Sequence, residues 1–352
     1  MSTHSINKIR HHIDSIAKYL TPLLPIANCH MVEFLTENHW EKLLPGPLRE
    51  TLDGLELNEA LEQFWTAAAS RESKCIFELS FLGMVSFSCG YILMASLHSS
   101  CGSTCCVEAG GGRGHLPVAL CLAYGIPSLT IDCDAAAVAA GPHRIQIIQV
   151  LNLFVLGLHT CGNLGPDSLR IFTSQPTTAA VFNVPCCYHL LSETVDVNMF
   201  DVFQRDYGSG ERYNLGRNAR MLAAQSIDRV VSQQQLPSTS LLYRALLQVP
   251  NDLYDDDFLQ GKLFFCFFLV IAKLFDSLPA SFFAVIHKNM DCQWKKLVLF
   301  YLLRLCLAQV VESLILLDRL MFLFENGFEN VYLVKLFDPV LSPRCHSIVA
   351  VK

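Results

Sequence analysis

Hydrophobic positions repeat with two different periods along this chain, and the change of period divides it. Ile6, Ile9, Ile13, Ile16 and Leu20 recur at helical spacing. The same spacing returns over 31–44, with Trp40 on the apolar face, and over 57–69. A Pro-bounded turn at 20–25 and the stop Pro45-Gly-Pro47 separate these predicted helices. From residue 105 to 193 short apolar runs alternate with helical stretches. The runs end at Glu108, at Asp132–Asp134, at Asn163 and at Val184. Helices are predicted over 117–124, 135–140 and 164–172, while 145–156 is apolar and ambiguous. Such alternation is the mark of a parallel sheet with covering helices. Beyond 192 the pattern predicts a helix over 215–226 with Arg217 and Arg220 exposed, a Gln/Ser linker at 232–240 and a core helix over 263–274. An amphipathic helix or helix pair follows over 295–325. Two β-like runs, 331–336 and 347–351, flank a Pro-containing turn and predict an antiparallel hairpin that closes the sheet. The expected fold class is α/β, with a helical N-terminal region over 1–100. A sheet domain spans 101–352 and carries a helical insertion at about 200–295.

Composition changes this picture in three places. Hydrophobic residues make up 52% of the chain and charged residues only 16%, and the run 79–97 is 19 residues long without a charge. That is enough to cross a bilayer. Its Ser, Gly and Cys content, Glu78 at its edge and the lack of a basic flank on its C-terminal side predict burial in a soluble domain instead. The net charge of −6, with no basic block, leaves no strong nucleic-acid signature. None of the 15 cysteines lies in a Cys-x-x-Cys pair, and no signal-peptide pattern opens the chain. The expectation is free thiols in a reducing, cytoplasmic compartment. The nucleus and mitochondrion are the alternatives, the latter because the first helix carries Lys8, Arg10 and Lys18 among its apolar positions.

The densest candidate chemistry is Cys106-Val-Glu-Ala-Gly-Gly-Gly-Arg-Gly-His-Leu116, a strand, a glycine turn and the start of a helix. Gly110, Gly112 and Gly114 allow positive φ and let a ligand approach the main chain. Glu108 inside that turn repels phosphate and suits a ligand with a positive amino group, such as S-adenosylmethionine. Asp132 lies 24 residues past Glu108 (132 − 108), at the end of the next predicted strand, where it would accept from both ribose hydroxyls. Asp134 is the fallback. Two further polar clusters, His159-Thr-Cys-Gly-Asn163 and Pro185-Cys-Cys-Tyr-His189, fall at the carboxyl ends of later strands, where open parallel sheets bind ligands.

Val107-Glu-Ala-Gly-Gly-Gly-Arg-Gly-His-Leu116, Gly157-Leu-His-Thr-Cys-Gly-Asn-Leu164 and Asn183-Val-Pro-Cys-Cys-Tyr-His-Leu-Leu-Ser-Glu193 together resemble the methyltransferase-like protein 25 family. So do Leu215-Gly-Arg-Asn-Ala-Arg-Met-Leu-Ala223 and Val311-Glu-Ser-Leu-Ile-Leu-Leu-Asp-Arg319, which runs on to Cys345. The resemblance implies a Rossmann-like, S-adenosylmethionine-dependent methyltransferase. It leaves the methyl acceptor open among protein, RNA and small molecule. The chain has Asn163 where the family carries Asp, and Pro185 where it carries Gly. The short interval between Asp132 and His159 leaves 145–150 as the place for a third strand at the adenine.

The cofactor-binding candidates are thus Glu108, Gly110, Gly112, Gly114, Asp132 and His159. His159 and His189 are candidate bases, Tyr188 an orienter, and Asn163 and Asn183 complete the catalytic set. Asn183 opens a stretch similar to the Asn-Pro-Pro-Tyr loop of amino-methyltransferases. Strand alternation predicts that Cys186 and Cys187 point opposite ways. Two other readings use the same residues: a metal held by His159, Cys161, Cys186, Cys187 and His189, and a scaffold that keeps the fold without turnover.

Overall fold

The computed structural model describes residues 3–69, 104–133, 152–192, 213–248 and 280–352. The chain forms two compact units. One comprises Met1–Asn28, Ala68–Gln233 and Leu305–Lys352, and the other Cys29–Ala67 and Gln234–Arg304. The expectations for 79–97, 135–140, 145–150 and 263–274, and Asp134, lie outside the described residues.

The first unit is built on a six-stranded sheet. Its strands are β1 (Thr104–Ala109), β2 (Ser128–Ile131), β3 (Asn152–Cys161), β4 (Thr178–Cys186), β5 (Asn330–Lys335) and β6 (His346–Val351), in the spatial order β2-β1-β3-β4-β6-β5. The first four pair in parallel, while β6 runs antiparallel to both β4 and β5. The α/β sheet and its closing hairpin are therefore as the hydrophobic pattern predicts. Alternate residues of the central strands feed two cores. Phe154, Leu156 and Ala180 join Cys106, Leu120 and Ile126 on one face. Val155 and Val181 join Leu169, Phe172, Leu314 and Ile348 on the other. Burial on both faces is what makes the parallel strands read as nearly continuous apolar runs.

The helices of this unit that bear on the site are α1 (Thr3–Leu20), α2 (His115–Tyr124), α3 (Leu164–Ser174), α4 (Arg217–Leu222) and α5 (Ala280–Glu325). Helix α5 is 46 residues long; residues 305–325 belong to the first unit. It is not amphipathic. Runs such as Leu314–Leu317 are buried side by side, as expected of a helix enclosed all round. The stretch Met290–Glu325 is long and apolar enough to cross a membrane by length and composition, and most of it is buried inside the protein. Arg220, expected on the surface, is buried on α4, because its guanidinium donates to the carbonyls of Tyr188 (3.0 Å) and Leu191.

The second unit departs from the expected helix over 31–44. A 3-10 turn, Met31–Glu33, is followed by the short helix His39–Leu43. Asn38 between them takes a left-handed conformation, φ 49°, which ends one helical segment before the next. Pro45-Gly-Pro47 begins the helix Gly46–Gly54 rather than only ending its predecessor. Proline suits a first turn, where its missing N–H has no helical partner. Buried Trp40 lies under Lys296, whose ammonium is 5.4 Å from the ring centroid, and Phe34 packs on Phe300.

Candidate functional site

Strands β1, β3 and β4 lie side by side in parallel, so their carboxyl ends meet at one edge of the first unit. Glu108 stands opposite Leu156, so β1 stops at Ala109 level with Gly157, while β3 runs four residues further (161 − 157) to Cys161. The glycine turn sits beside this overhang. A Cβ on Gly110 would come within 3.4 Å of the His159 carbonyl. Gly110, Gly112 and Gly114 all take positive φ (74°, 53° and 73°), which is why this bend is made of glycines. The Gly110 N–H donates to the Ile131 carbonyl at 2.8 Å, fastening the turn to β2. The Gly112 N–H donates to the Asp132 carboxylate at 2.8 Å.

Below the turn lies Glu108, only 4% exposed. A Cβ on Gly111 would fall 2.2 Å from both Glu108 Oε2 and Thr130 Oγ1, so the main chain rests directly on these two oxygens. Both are buried without a hydrogen-bond partner. Burial, and secondarily the charge of Asp132, push the Glu108 carboxyl up to about 7. Two carboxylates at a main-chain cradle repel phosphate and attract a ligand with an ammonium group. These residues fit S-adenosylmethionine, whose methionyl end carries that cation.

Past Gly157 the pairing shifts. Gly157 is opposite Asn183 but Thr160 is opposite Pro185, so β3 holds one extra residue at Leu158–His159. The bulge leaves His159 exposed at the overhang. Thr160 turns inward, its Oγ1 3.2 Å from Asn183 Oδ1 and 3.0 Å from the Val184 carbonyl. Asn183 is fully buried, and its amide donates to the Gly165 carbonyl (2.7 Å) and Ser168 Oγ (2.5 Å). It therefore braces β4 against the start of α3. Asn163 Oδ1 accepts from the Ser192 N–H at 2.8 Å and ties the β3 end to the loop after β4. His189 is half-buried on the 3-10 turn Tyr188–Leu190.

Tyr188 lies elsewhere than at an exposed pocket. Its ring is buried, and its hydroxyl donates to Glu312 Oε1 at 2.9 Å. Cys186 and Cys187 do not point opposite ways either. The strand ends at Cys186, and Cys187 adopts φ 48°, so pleat alternation no longer applies. The sulfurs of Cys161, Cys186 and Cys187 all lie within 4.8 Å of one another. His159 and His189 are not part of that group.

A cluster that the residue pattern left without chemistry lies beneath. Glu312 and Arg319 on α5 are buried beside half-buried His346 on β6, whose Nδ1 is 3.8 Å from Glu312 Oε2. Burial pushes Glu312 up to about 7, against the opposing effect of the Tyr188 hydrogen bond. Burial also lowers His346 to about 4. The available signal was three charges, Glu312, Asp318 and Arg319, in the otherwise uncharged stretch from Leu305 to Phe324.

A family model described as a methyltransferase domain matches residues 148–194, which hold β3, α3, β4 and the cysteine pair. The chain is 39% identical over 231 residues to "Probable methyltransferase-like protein 25" of Mus musculus, covering 59% of this chain and 39% of that protein. It is 39% identical over 222 residues to the Homo sapiens protein of the same name, covering 56% and 36%. The chain thus spans less than two fifths of the length of these curated relatives. No solved structure matches it. By sequence, the chain is similar to the methyltransferase-like protein 25 proteins, and the part of its mostly parallel sheet within residues 148–194 matches the methyltransferase-domain model.

Proposed function

We propose that this domain transfers a methyl group from S-adenosylmethionine, held over Gly110–Gly114 with Asp132 toward the ribose. The observation that carries this reading is the pair of orphaned buried oxygens, Glu108 Oε2 and Thr130 Oγ1, directly under Gly111. S-adenosylmethionine supplies an electrophilic methyl, which asks the protein mainly to align an acceptor and keep water away. Glu108 contributes negative charge beneath the ammonium. The β3 overhang forms the wall beside it, and exposed His159 stands where it can take a proton from an acceptor that must lose one. Asn183, Thr160 and Asn163 hold that wall rigid through their hydrogen bonds to α3 and to the loop after β4.

Calorimetric titration of the folded chain with S-adenosylmethionine tests this. Saturable binding is expected, weakened in Asp132→Ala by about 1–3 kcal/mol, the usual cost of stranding buried hydroxyls. A folded parent that takes up no S-adenosylmethionine would leave the fold as a scaffold without turnover.

A further inference from the structure

We propose that Cys161, Cys186 and Cys187 form a site for one thiophilic metal ion, Zn2+ by preference, at the carboxyl edge of the sheet. The three residues arrive there by two independent routes. Sheet register places Cys161 directly opposite Cys186 across β3 and β4, with the sulfurs 3.0 Å apart. Cys187 is brought back to the same place by its left-handed backbone, φ 48°. That conformation costs a non-glycine residue about 1–2 kcal/mol, and here it turns a side chain that would otherwise leave for the opposite face of the sheet.

The span of the group fits one ion. Sulfurs bound to a single zinc at about 2.3 Å stand about 3.8 Å apart in a tetrahedron, inside the 4.8 Å that encloses all three; the Cys161 and Cys186 sulfurs, 3.0 Å apart, would separate by about 0.8 Å on binding. Thiolate ligands select Zn2+ or Cu+ over hard cations such as Mg2+ or Ca2+. Three protein ligands, with Cys161 exposed, leave the fourth position on the solvent side.

A second feature favours an anionic occupant. Arg319 is 1% exposed, and its Nε and Nη1 are buried without hydrogen-bond partners. Cys186 lies within electrostatic reach of that guanidinium. Three neutral thiols do nothing for a buried cation. On binding, Zn2+ displaces three thiol protons to solvent and forms three Zn–S bonds, leaving a complex with one net negative charge. That charge adds to those of Asp318 and Glu312, which also lie within electrostatic reach of Arg319, in countering a guanidinium that is costly to bury.

The test uses the full chain, reduced and freed of metal with a chelator, and Co2+ and Zn2+ salts as probes. One Co2+ per chain is expected, with thiolate-to-cobalt charge-transfer absorption and the strong visible bands of tetrahedral Co2+, displaced by Zn2+. Cys161→Ser and Cys187→Ser should each lose the charge-transfer absorption, and Cys292→Ser should keep it. A second measurement needs no variant. Zn2+ should protect Cys161 and Cys187 of the native chain from alkylation while exposed Cys121, Cys133 and Cys292 still react. Equal alkylation with and without Zn2+, or a cobalt spectrum that survives both serine substitutions, would overturn the site. A Cys161–Cys186 disulfide that forms in air and leaves no metal-binding form after reduction would assign the cluster to redox chemistry instead. None of these readouts depends on S-adenosylmethionine.

Discussion

Glu108 sets the pH behaviour of the glycine turn. Its carboxyl is held at about 7, above its ordinary 4.5, because burial and the nearby Asp132 both oppose its charge. The folded chain therefore binds this proton more tightly than the unfolded chain. The cost of the residue is absent below pH 4, grows between about 4.5 and 7, and is complete above 7. Glu108→Gln keeps the shape and removes the charge. It should stabilise the free protein at pH 8 by on the order of 1–3 kcal/mol and change little at pH 4, as read by urea unfolding at both values. Equal effects at both pH values would mean that burial does not oppose this charge. The residue also shows where sequence reading stops. Glycine spacing placed an acid at the turn, and the acid is there, under the main chain at the end of β1. Arg220 was misplaced on the surface because its carbonyl partners, at Tyr188 and Leu191, lie about thirty positions away and leave no local mark.

The glycine turn as an element separates two demands on glycine. Gly111 needs space, since its Cβ would overlap Glu108 Oε2 and Thr130 Oγ1 at 2.2 Å. Gly112 needs backbone freedom, with φ 53° and nothing within 4 Å of its Cβ position. Gly111→Ala should cost about 1–3 kcal/mol through crowding, and Thr130→Ala in the same chain should recover part of it. Gly112→Ala should cost about 1–2 kcal/mol, with no recovery from Thr130→Ala. Denaturant unfolding of the four variants decides; recovery in both backgrounds would mean the two glycines are constrained alike. Elements were legible where period and breakers agree. The strand over 178–184 and the helix over 164–172 are found almost residue for residue, because a nearly continuous apolar run, helical periodicity and Pro or Gly punctuation act locally. The bulge at Leu158–His159 and the left-handed Cys187 were not legible. Both come from fitting β3 to β4 and the loop after it, and a cysteine carries no preference for positive φ.

Across the first unit, the loop after β4 is joined to α5 and β6 by buried polar groups where apolar ones would have sufficed. Tyr188 donates to Glu312, Arg319 lies 5.8 Å from the Tyr188 ring centroid, and His346 approaches the other Glu312 oxygen. Tyr188 is held well above its ordinary value by burial, so it remains a donor throughout the neutral range. Its hydrogen bond favours the charged form of Glu312 and opposes the burial that still holds the carboxyl at about 7. Tyr188→Phe removes the donor and leaves the rest of the ring in place. The Glu312 carboxyl should then titrate still higher. The variant should lose about 1–3 kcal/mol at pH 8, where a buried carboxylate is left without its donor. At pH 5 both chains hold Glu312 protonated, and the loss should shrink toward that of one neutral hydrogen bond, about 1 kcal/mol. Glu312→Gln should flatten the difference between the two pH values. If Tyr188→Phe costs the same at pH 5 and pH 8, Glu312 is neutral throughout, and the contact that ties the site loop to the long helix is an uncharged one.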